Sequence, residues 1–260
     1  MRLDVYLAQE KMVPSRTNAK DAIQEGRVFV NGNRVNKPSY ELGVMDQVVL
    51  LPPDNAFASR AGQKLADALD LWQVDLNGKV VVDIGASTGG FSDVCLKRGA
   101  RHVYAIDSGT GQLVERLRND ERITNMEGIN ARYLTKAMFK DPIDFICMDV
   151  SFISITKILP AIKAIAPSSC EAIFLIKPQF EAGKRYVSKN GVVKDKKIHK
   201  QVLRDLFLEF DQYGFALLHV MKATIKGRAG NQEYVAHLSL GEQKVSLEIW
   251  MKSLDKIIEA

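Results

Sequence analysis

Residues 80–91 read Val-Val-Val-Asp-Ile-Gly-Ala-Ser-Thr-Gly-Gly-Phe, an apolar strand that runs straight into a glycine-rich turn and opens a helix. Glycine lets backbone approach a ligand closely, and the first turn of a helix offers free N–H groups. The same alternation continues along the chain. Short apolar runs at Val80–Ile84, Val103–Ile106, Ile123–Met126, Phe145–Val150, Ile173–Ile176, Ala216–Met221 and Tyr234–Leu240 read as strands. Helical patterns lie near 60–73, 90–98, 111–118, 154–166 and 196–212. Alternating strands and helices predict a mainly parallel seven-stranded α/β sheet with helices on both faces.

A different pattern precedes it. Arg2 to Gln9 and Ser15 to Glu25 read as two short helices, the second with Ser15 as N-cap. Arg27 to Val30 followed by Asn31-Gly32 reads as a strand and tight turn, and Asp46 to Leu51 as another strand. Two prolines and two turn residues in Leu51-Pro52-Pro53-Asp54-Asn55 have the composition of a linker. The expected organisation is a small α+β domain over 1–51, a linker over 52–59 and the α/β domain over 60–260.

With 260 residues, 46% of them hydrophobic and 26% charged, the chain can bury a substantial core, which excludes a disordered or collagen-like class. The first residues carry acidic and polar side chains where a signal peptide needs an apolar run, and no segment approaches the roughly 18 apolar residues of a membrane span. A soluble, cytoplasmic protein is expected. Cys95, Cys147 and Cys170 form no CxxC pair, so buried free thiols are expected rather than a disulfide framework, and no metal site is suggested.

The net charge of +5 fits a polyanionic partner, but its distribution says more. Residues 1–37 hold seven Lys/Arg against four Asp/Glu, whereas residues 38–59 hold three acids and no base. The first module is therefore polarised rather than uniformly basic. Arg16 and Lys20, four apart on the second helix, share a face, and Lys11, Arg27 and Lys37 lie near element ends where long cations can reach phosphates. A second basic run holds nine Lys/Arg between Lys177 and Arg204 against Glu181 and Asp195, and includes Lys184 and Arg185.

In the glycine turn the spacing from Gly85 is G-x-x-x-G-G, through Ser87 to Gly89 and Gly90, with Asp83 inside the strand and Phe91 beyond. A dinucleotide site needs G-x-G-x-x-G. The observed spacing suits the aminoacyl end of S-adenosylmethionine better than a pyrophosphate. Asp107 closes the next strand, where a carboxylate can bind both hydroxyls of a ribose. Glu127, after the third strand, is placed to approach the adenine. Asp149 ends the fourth strand and Lys177 the fifth, at the carboxyl ends where open α/β sheets bind ligands. Lys64 borders the apolar stripe Ala61, Leu65, Leu69 and Trp72 of the helix before the first strand, and Glu233 opens the last strand.

Two family resemblances gather these residues. Arg2-Leu3-Asp4, Ser15-Arg16, the run Gly26 to Gly32 and Lys37-Pro38-Ser39 make the first fifty residues resemble the S4 RNA-binding domain, named after a ribosomal protein. That resemblance implies RNA contacts from Arg2, Lys11, Ser15, Arg16, Lys20, Arg27 and Lys37. Lys64, Asp149, Lys177 and Glu233 resemble the Lys-Asp-Lys-Glu tetrad of FtsJ-like ribose 2′-O-methyltransferases. With SRAGQKL, DIGASTGGF, DVSFIS, IKPQFE and IKGRAGNQEY, the whole chain looks like the TlyA or haemolysin A family of ribosomal RNA 2′-O-methyltransferases.

The resemblance implies a Rossmann-like methyltransferase fold, S-adenosylmethionine as cofactor held by Asp83, Gly85, Ser87, Gly89, Gly90, Phe91, Asp107, Glu127 and Asp149, ribosomal RNA or a ribosomal subunit as partner without stable membrane association, and cytidine as the modified nucleoside. The chain departs from many FtsJ-like loops in having Thr88 for proline and Phe91 for tryptophan, which bears on cofactor affinity.

A ribose hydroxyl is a poor nucleophile, so a base must take or polarise its proton as the oxygen attacks a methyl group in line. Lys177 is the expected base. A lysine accepts a proton only in its neutral form, which partial burial and a neighbouring cation such as Lys64 favour. Asp149 and Glu233 oppose that effect and are expected to orient the two lysines. Other readings fit less well. An exocyclic-amine enzyme would carry prolines in the Asp149-Val150-Ser151-Phe152 turn, and a cytosine carbon-5 enzyme needs a cysteine at a strand end. A non-catalytic RNA-binding assembly factor would have no use for the tetrad, and a membrane-active haemolysin would need a span or a long basic amphipathic helix.

Overall fold

The computed structural model describes residues 1–51, 57–227, 230–241 and 247–259. Most of the expected linker, 52–56, lies outside the described residues, as do Arg228 and Ala229 of the IKGRAGNQEY segment. The chain divides into two compact units, Met1–Ala56 and Phe57–Ala260.

In the first unit, α1 (Leu3–Gln9) and α2 (Arg16–Gln24) precede β1 (Val28–Val30), β2 (Asn33–Arg34) and β3 (Val48–Leu50). Ser15 caps α2 by accepting from the Asn18 amide at 3.2 Å. Asn31 and Gly32, at φ 50° and 79°, form the tight turn that pairs β1 with β2, since only a positive-φ turn matches the twist of the two strands. β3 adds antiparallel on the other side of β1. Leu3, Leu7, Ala19, Ala22, Ile23, Val28 and Val30 fill the core between helices and sheet.

The second unit opens with α3 (Arg60–Trp72) and then alternates β4 (Val80–Ile84), α4 (Gly90–Lys97), β5 (His102–Asp107), α5 (Glu115–Arg118), β6 (Ile123–Glu127) and β7 (Phe145–Met148). There follow α6 (Leu159–Ile165), β8 (Glu171–Ile176), α7 (Pro178–Glu181), α8 (Lys196–Gln212), β9 (Ala216–Lys222), β10 (Tyr234–Ser239) and α9 (Leu247–Glu259). Strand order is β6-β5-β4-β7-β8-β10-β9, parallel except that β10 runs antiparallel to both its neighbours. All five residues of β4 are buried because helices cover both faces of this central strand. One core cluster, around Val82, Phe174, Phe207 and Phe210, lies on one face, and another, around Leu65, Leu69, Val81 and Phe91, on the other.

Three elements differ from the sequence reading. The helix expected over 111–118 shrinks to Glu115–Arg118, because Gly111 sits at φ 66° and the Gln112 and Leu113 amides bond to Glu127 rather than to a preceding helical turn. The helix expected over 154–166 starts as a 3₁₀ turn, Ile155–Lys157, and becomes α-helical only at Leu159, where Pro160 occupies the first turn. The amphipathic α9 was not anticipated. It packs against α8, with Leu254 and Ile258 buried and the Trp250 indole N–H donating to Leu217 O at 2.8 Å.

Candidate active site

The glycine turn after β4 is shaped by contacts that leave no space for side chains. Gly85, at φ 85°, has its missing Cβ position 2.5 Å from the carbonyl oxygen of Asp149. Gly89, at φ 95°, is pressed by Leu113 and Leu117, and Gly90 by Ser59 Oγ. Ser87 also takes a left-handed conformation, φ 47°, without being glycine. That backbone is held by Asp107, whose carboxylate accepts from the Ser87 amide at 2.8 Å and the Gly109 amide at 2.7 Å. Glu127 accepts from the amides of Gln112 at 2.5 Å and Leu113 at 3.0 Å. Burial works against its charge, but the bonds from Leu113, Asn125 and Gln112 prevail and pull its carboxyl down to about 2. Glu127 is thus ionised at neutral pH.

Gln112 joins the two acids to the turn. Its side-chain oxygen lies 3.1 Å from Ser87 Oγ and its amide nitrogen 3.4 Å from Asp107 Oδ1. Gly85, Ser87, Asp107 and Glu127 are therefore gathered around one short stretch of loop. Asp83 and Phe91 sit behind it. Asp83 is fully buried, and its Oδ2 accepts from the Ser92 amide and hydroxyl at 2.9 and 2.6 Å, which ties β4 to the first turn of α4. Burial pushes the Asp83 carboxyl up to about 7, against the Ser92 bonds and with the help of the Asp149 charge. Its Oδ1 has no partner among the described residues. Phe91, 3% exposed, packs in the core cluster that contains Leu65.

The tetrad lies on the adjacent strands. β7, β8 and β10 are consecutive in the sheet, so Asp149 after β7, Lys177 after β8 and Glu233 before the antiparallel β10 meet at one edge. The register Tyr234↔Ile176 puts Glu233 beside Lys177. α3 packs against β10 and brings in Lys64, whose Nζ is 2.5 Å from Glu233 Oε2. Lys177 Nζ is 2.5 Å from Asp149 Oδ1, off the hydrogen-bonding direction, and donates to Ser151 Oγ at 2.9 Å. Each ammonium thus has a carboxylate of its own. The Asp149 amide bonds to Ile84 O at 2.9 Å and its carbonyl abuts Gly85, so the tetrad and the glycine turn share a wall.

Four residues here escaped the sequence reading. Ser151 is the second partner of Lys177. Phe152, 91% exposed at φ 64°, stands beside it with its ring 5.0 Å from that of Phe180. Gln179 reaches Glu233 Oε1 at 3.5 Å, while its own side-chain oxygen is buried without a partner among the described residues. Gln112 is the fourth. All but Gln112 fall inside the DVSFIS and IKPQFE segments, which could have drawn attention to them.

The cations expected to meet RNA divide into two groups. Arg2 and Arg16 both bond to the fully buried Asp4, at 3.0 and 2.9 Å, and hold its carboxyl below the usual range. Arg27 bonds to Glu25 at 2.8 Å and donates to Leu51 O at 3.1 Å. These three arginines, like the capping Ser15, help to hold the first unit together. Lys11, Lys20 and Lys37 are exposed. In the second unit Lys184 and Arg185 are exposed on a 3₁₀ turn, Lys184–Tyr186.

The sequence pattern of FtsJ-like methyltransferases matches residues 57–240, and that of the S4 domain residues 1–48. Hemolysin A of Brachyspira hyodysenteriae is 42% identical over 91% of this chain and 99% of its own length. The 16S/23S rRNA (cytidine-2′-O)-methyltransferase TlyA of Mycobacterium tuberculosis is 36% identical over 90% of this chain and 87% of its own. A solved structure from Streptococcus thermophilus, described as a candidate hemolysin, is 35% identical, covers 100% of this chain and 94% of its own, and superposes with a TM-score of 0.80. With a seven-stranded sheet whose loops match that pattern from end to end, the chain belongs to the FtsJ-like methyltransferase family and carries an S4 domain ahead of its methyltransferase domain.

Proposed function

We propose that the protein transfers a methyl group from S-adenosylmethionine to a ribose 2′-hydroxyl of ribosomal RNA, at a cytidine, in the cytoplasm where ribosomes are assembled. The observation that carries this reading is the pair of lysine–carboxylate contacts at one sheet edge, walled on one side by a glycine turn that admits no Cβ. A cytidine 2′-hydroxyl is the acceptor named for the 36% identical TlyA. The proposed boundaries are an RNA-binding domain over 1–51, a linker over 52–59 and the catalytic domain from residue 60.

The residues around the turn fit the cofactor. Gly85, Ser87, Gly89 and Gly90 offer backbone for its aminoacyl end, Asp107 its ribose and Glu127 its adenine, with Asp83 and Phe91 supporting the turn from behind. When bound, the group supplies a methyl on a sulfonium, which any well-placed oxygen nucleophile can accept. What the chain must add is alignment and proton removal. Lys177 is the base, held by Asp149 and Ser151 at the wall shared with the turn. Lys64, fixed by Glu233, places a second positive charge at the edge where oxyanion character develops. Phe152 offers an exposed ring on which the base of the acceptor nucleotide stacks.

The first unit supplies RNA affinity through Lys11, Lys20 and Lys37, with Arg2 and Arg16 contributing the one positive charge left over from their shared Asp4. No described helix is long and apolar enough to cross a membrane. The test is incubation of unmodified ribosomal RNA with the protein and labelled S-adenosylmethionine, followed by digestion to nucleosides. Label in 2′-O-methylcytidine is the expected result, and label in a base-methylated nucleoside, or none, would contradict the reading.

A further inference from the structure

The exposed aromatic side chains of the second unit are not scattered. Among the described residues they are Tyr133, Phe152 and Tyr186, at 67%, 91% and 41% exposure. Each lies on a segment that leaves the carboxyl end of a strand: Tyr133 after β6, Phe152 after β7 and Tyr186 after β8 and α7. Two of them repeat one motif. Ala131–Tyr133 and Lys184–Tyr186 are both 3₁₀ turns, and in both the arginine before the tyrosine lies over its ring, Arg132 at 5.4 Å and Arg185 at 4.5 Å from the centroid. Asn130 Oδ1 accepts from Arg132 Nε at 3.2 Å and from its amide at 3.1 Å, so the first stack is held in place before any ligand arrives. Neither arginine has a carboxylate partner among the described residues, and Lys136, Lys140 and Lys184, near them in the chain, are exposed.

Exposed aromatic rings cost solvation without contributing to a core, and pairing each with an unneutralised guanidinium suits a ligand with flat faces and negative charge. Nucleobases on a phosphate backbone have that chemistry. Duplex RNA hides its base faces, whereas a single strand offers them for stacking. β6 and β8 are four strands apart in the order β6-β5-β4-β7-β8, roughly 19 Å at about 4.8 Å per strand. The first stack follows β6 at the edge of the sheet and the second follows β8, the strand that ends in Lys177, so both leave the carboxyl ends of strands in the sheet that carries the tetrad.

We propose that Arg132–Tyr133 and Arg185–Tyr186 are stacking platforms for unpaired bases that flank the methylated nucleotide, so that the catalytic domain grips an extended single-stranded stretch of its RNA. This rests on the RNA reading above and adds the conformation of the substrate to it. Stacking and phosphate contacts differ in their salt dependence, because only the latter release counterions.

The test uses the full chain with a single-stranded RNA of about 20 nucleotides, carrying 2-aminopurine, and a duplex of the same length, titrated at several salt concentrations. The double variant Tyr133→Ala, Tyr186→Ala should bind the single strand about tenfold or more weaker. It should keep the slope of log affinity against log salt, keep duplex affinity and lose 2-aminopurine quenching, while Tyr133→Phe, Tyr186→Phe restores single-strand affinity and quenching. Both positions are exposed, so melting temperature should not move. Unchanged single-strand affinity in the alanine variant, or a loss equal for strand and duplex, would overturn the proposal while leaving the methyltransferase reading intact. Failure of the unaltered chain to bind either RNA would overturn both.

Discussion

The two lysine–carboxylate pairs of the site have the same chemistry and different surroundings. Lys64 and Glu233 have side chains 8% and 3% exposed, between a helix and the start of an antiparallel strand. Lys177 and Asp149 have side chains 12% and 16% exposed, at the ends of two parallel strands. A buried pair is held by mutual need, since either charge alone would be stranded in a poorly solvating interior. A pair at a strand end remains open to a ligand, and Lys177 already shares its ammonium with Ser151. On the proposed mechanism, the difference suits the first pair to fixing a charge in place and the second to exchanging a proton.

Breaking the pairs should expose that difference. Glu233→Ala leaves the Lys64 ammonium buried without a partner and should cost about 3–5 kcal/mol, on the order of 10 °C in melting temperature for a domain of this size. Asp149→Ala, whose partner can turn toward solvent, should cost clearly less. Equal losses in thermal melts would remove the distinction.

The next effect comes from the acid beneath the open pair. Asp83 is raised from 3.8 to about 7 in the folded state, so its contribution to stability is complete below about 4 and is lost as pH rises through about 7. Asp83→Asn should therefore remove up to about 1.4 kcal/mol per pH unit of slope between those limits. Denaturant unfolding of both proteins from pH 4 to pH 8 measures it, and parallel curves would contradict the assignment.

Smaller still, Gln179→Met removes a buried oxygen without a partner and only a 3.5 Å contact to Glu233. Stability should stay level or rise by up to about 1 kcal/mol. A marked loss would mean that Gln179 is needed to hold the dry pair. Least in energy, Lys184→Ala with Arg185→Ala should weaken RNA binding and flatten its salt dependence by about one to two units of slope, read from titrations at several salt concentrations.

How much of this was legible beforehand follows the same division. Strand ends are marked by a change from apolar to charged residues, so Asp107, Asp149 and Lys177 could be placed from the sequence alone, and the glycine spacing located the turn. What the sequence could not reveal is which group pairs with which. Asp83 reads like a ligand residue, yet its carboxylate turns inward to Ser92, and Phe91 enters the core. Arg2 and Arg16 read as free cations, but both are drawn to Asp4, twelve residues from Arg16 in the chain. α9 was missed because its apolar face becomes meaningful only against α8, a contact that sequence periodicity does not report. Gln112 was read into a helix that Gly111 prevents from forming.

The division between a fixed charge and an exchanging one is tested most directly by single-turnover methyl transfer in the Lys177→Ala variant, with S-adenosylmethionine and ribosomal RNA both saturating. Loss of a positioned base should lower the rate by at least about a hundredfold, with melting temperature, cofactor affinity and RNA affinity held near their original values. A rate within a few fold of the unaltered protein under those conditions would show that Lys177 does not take the proton.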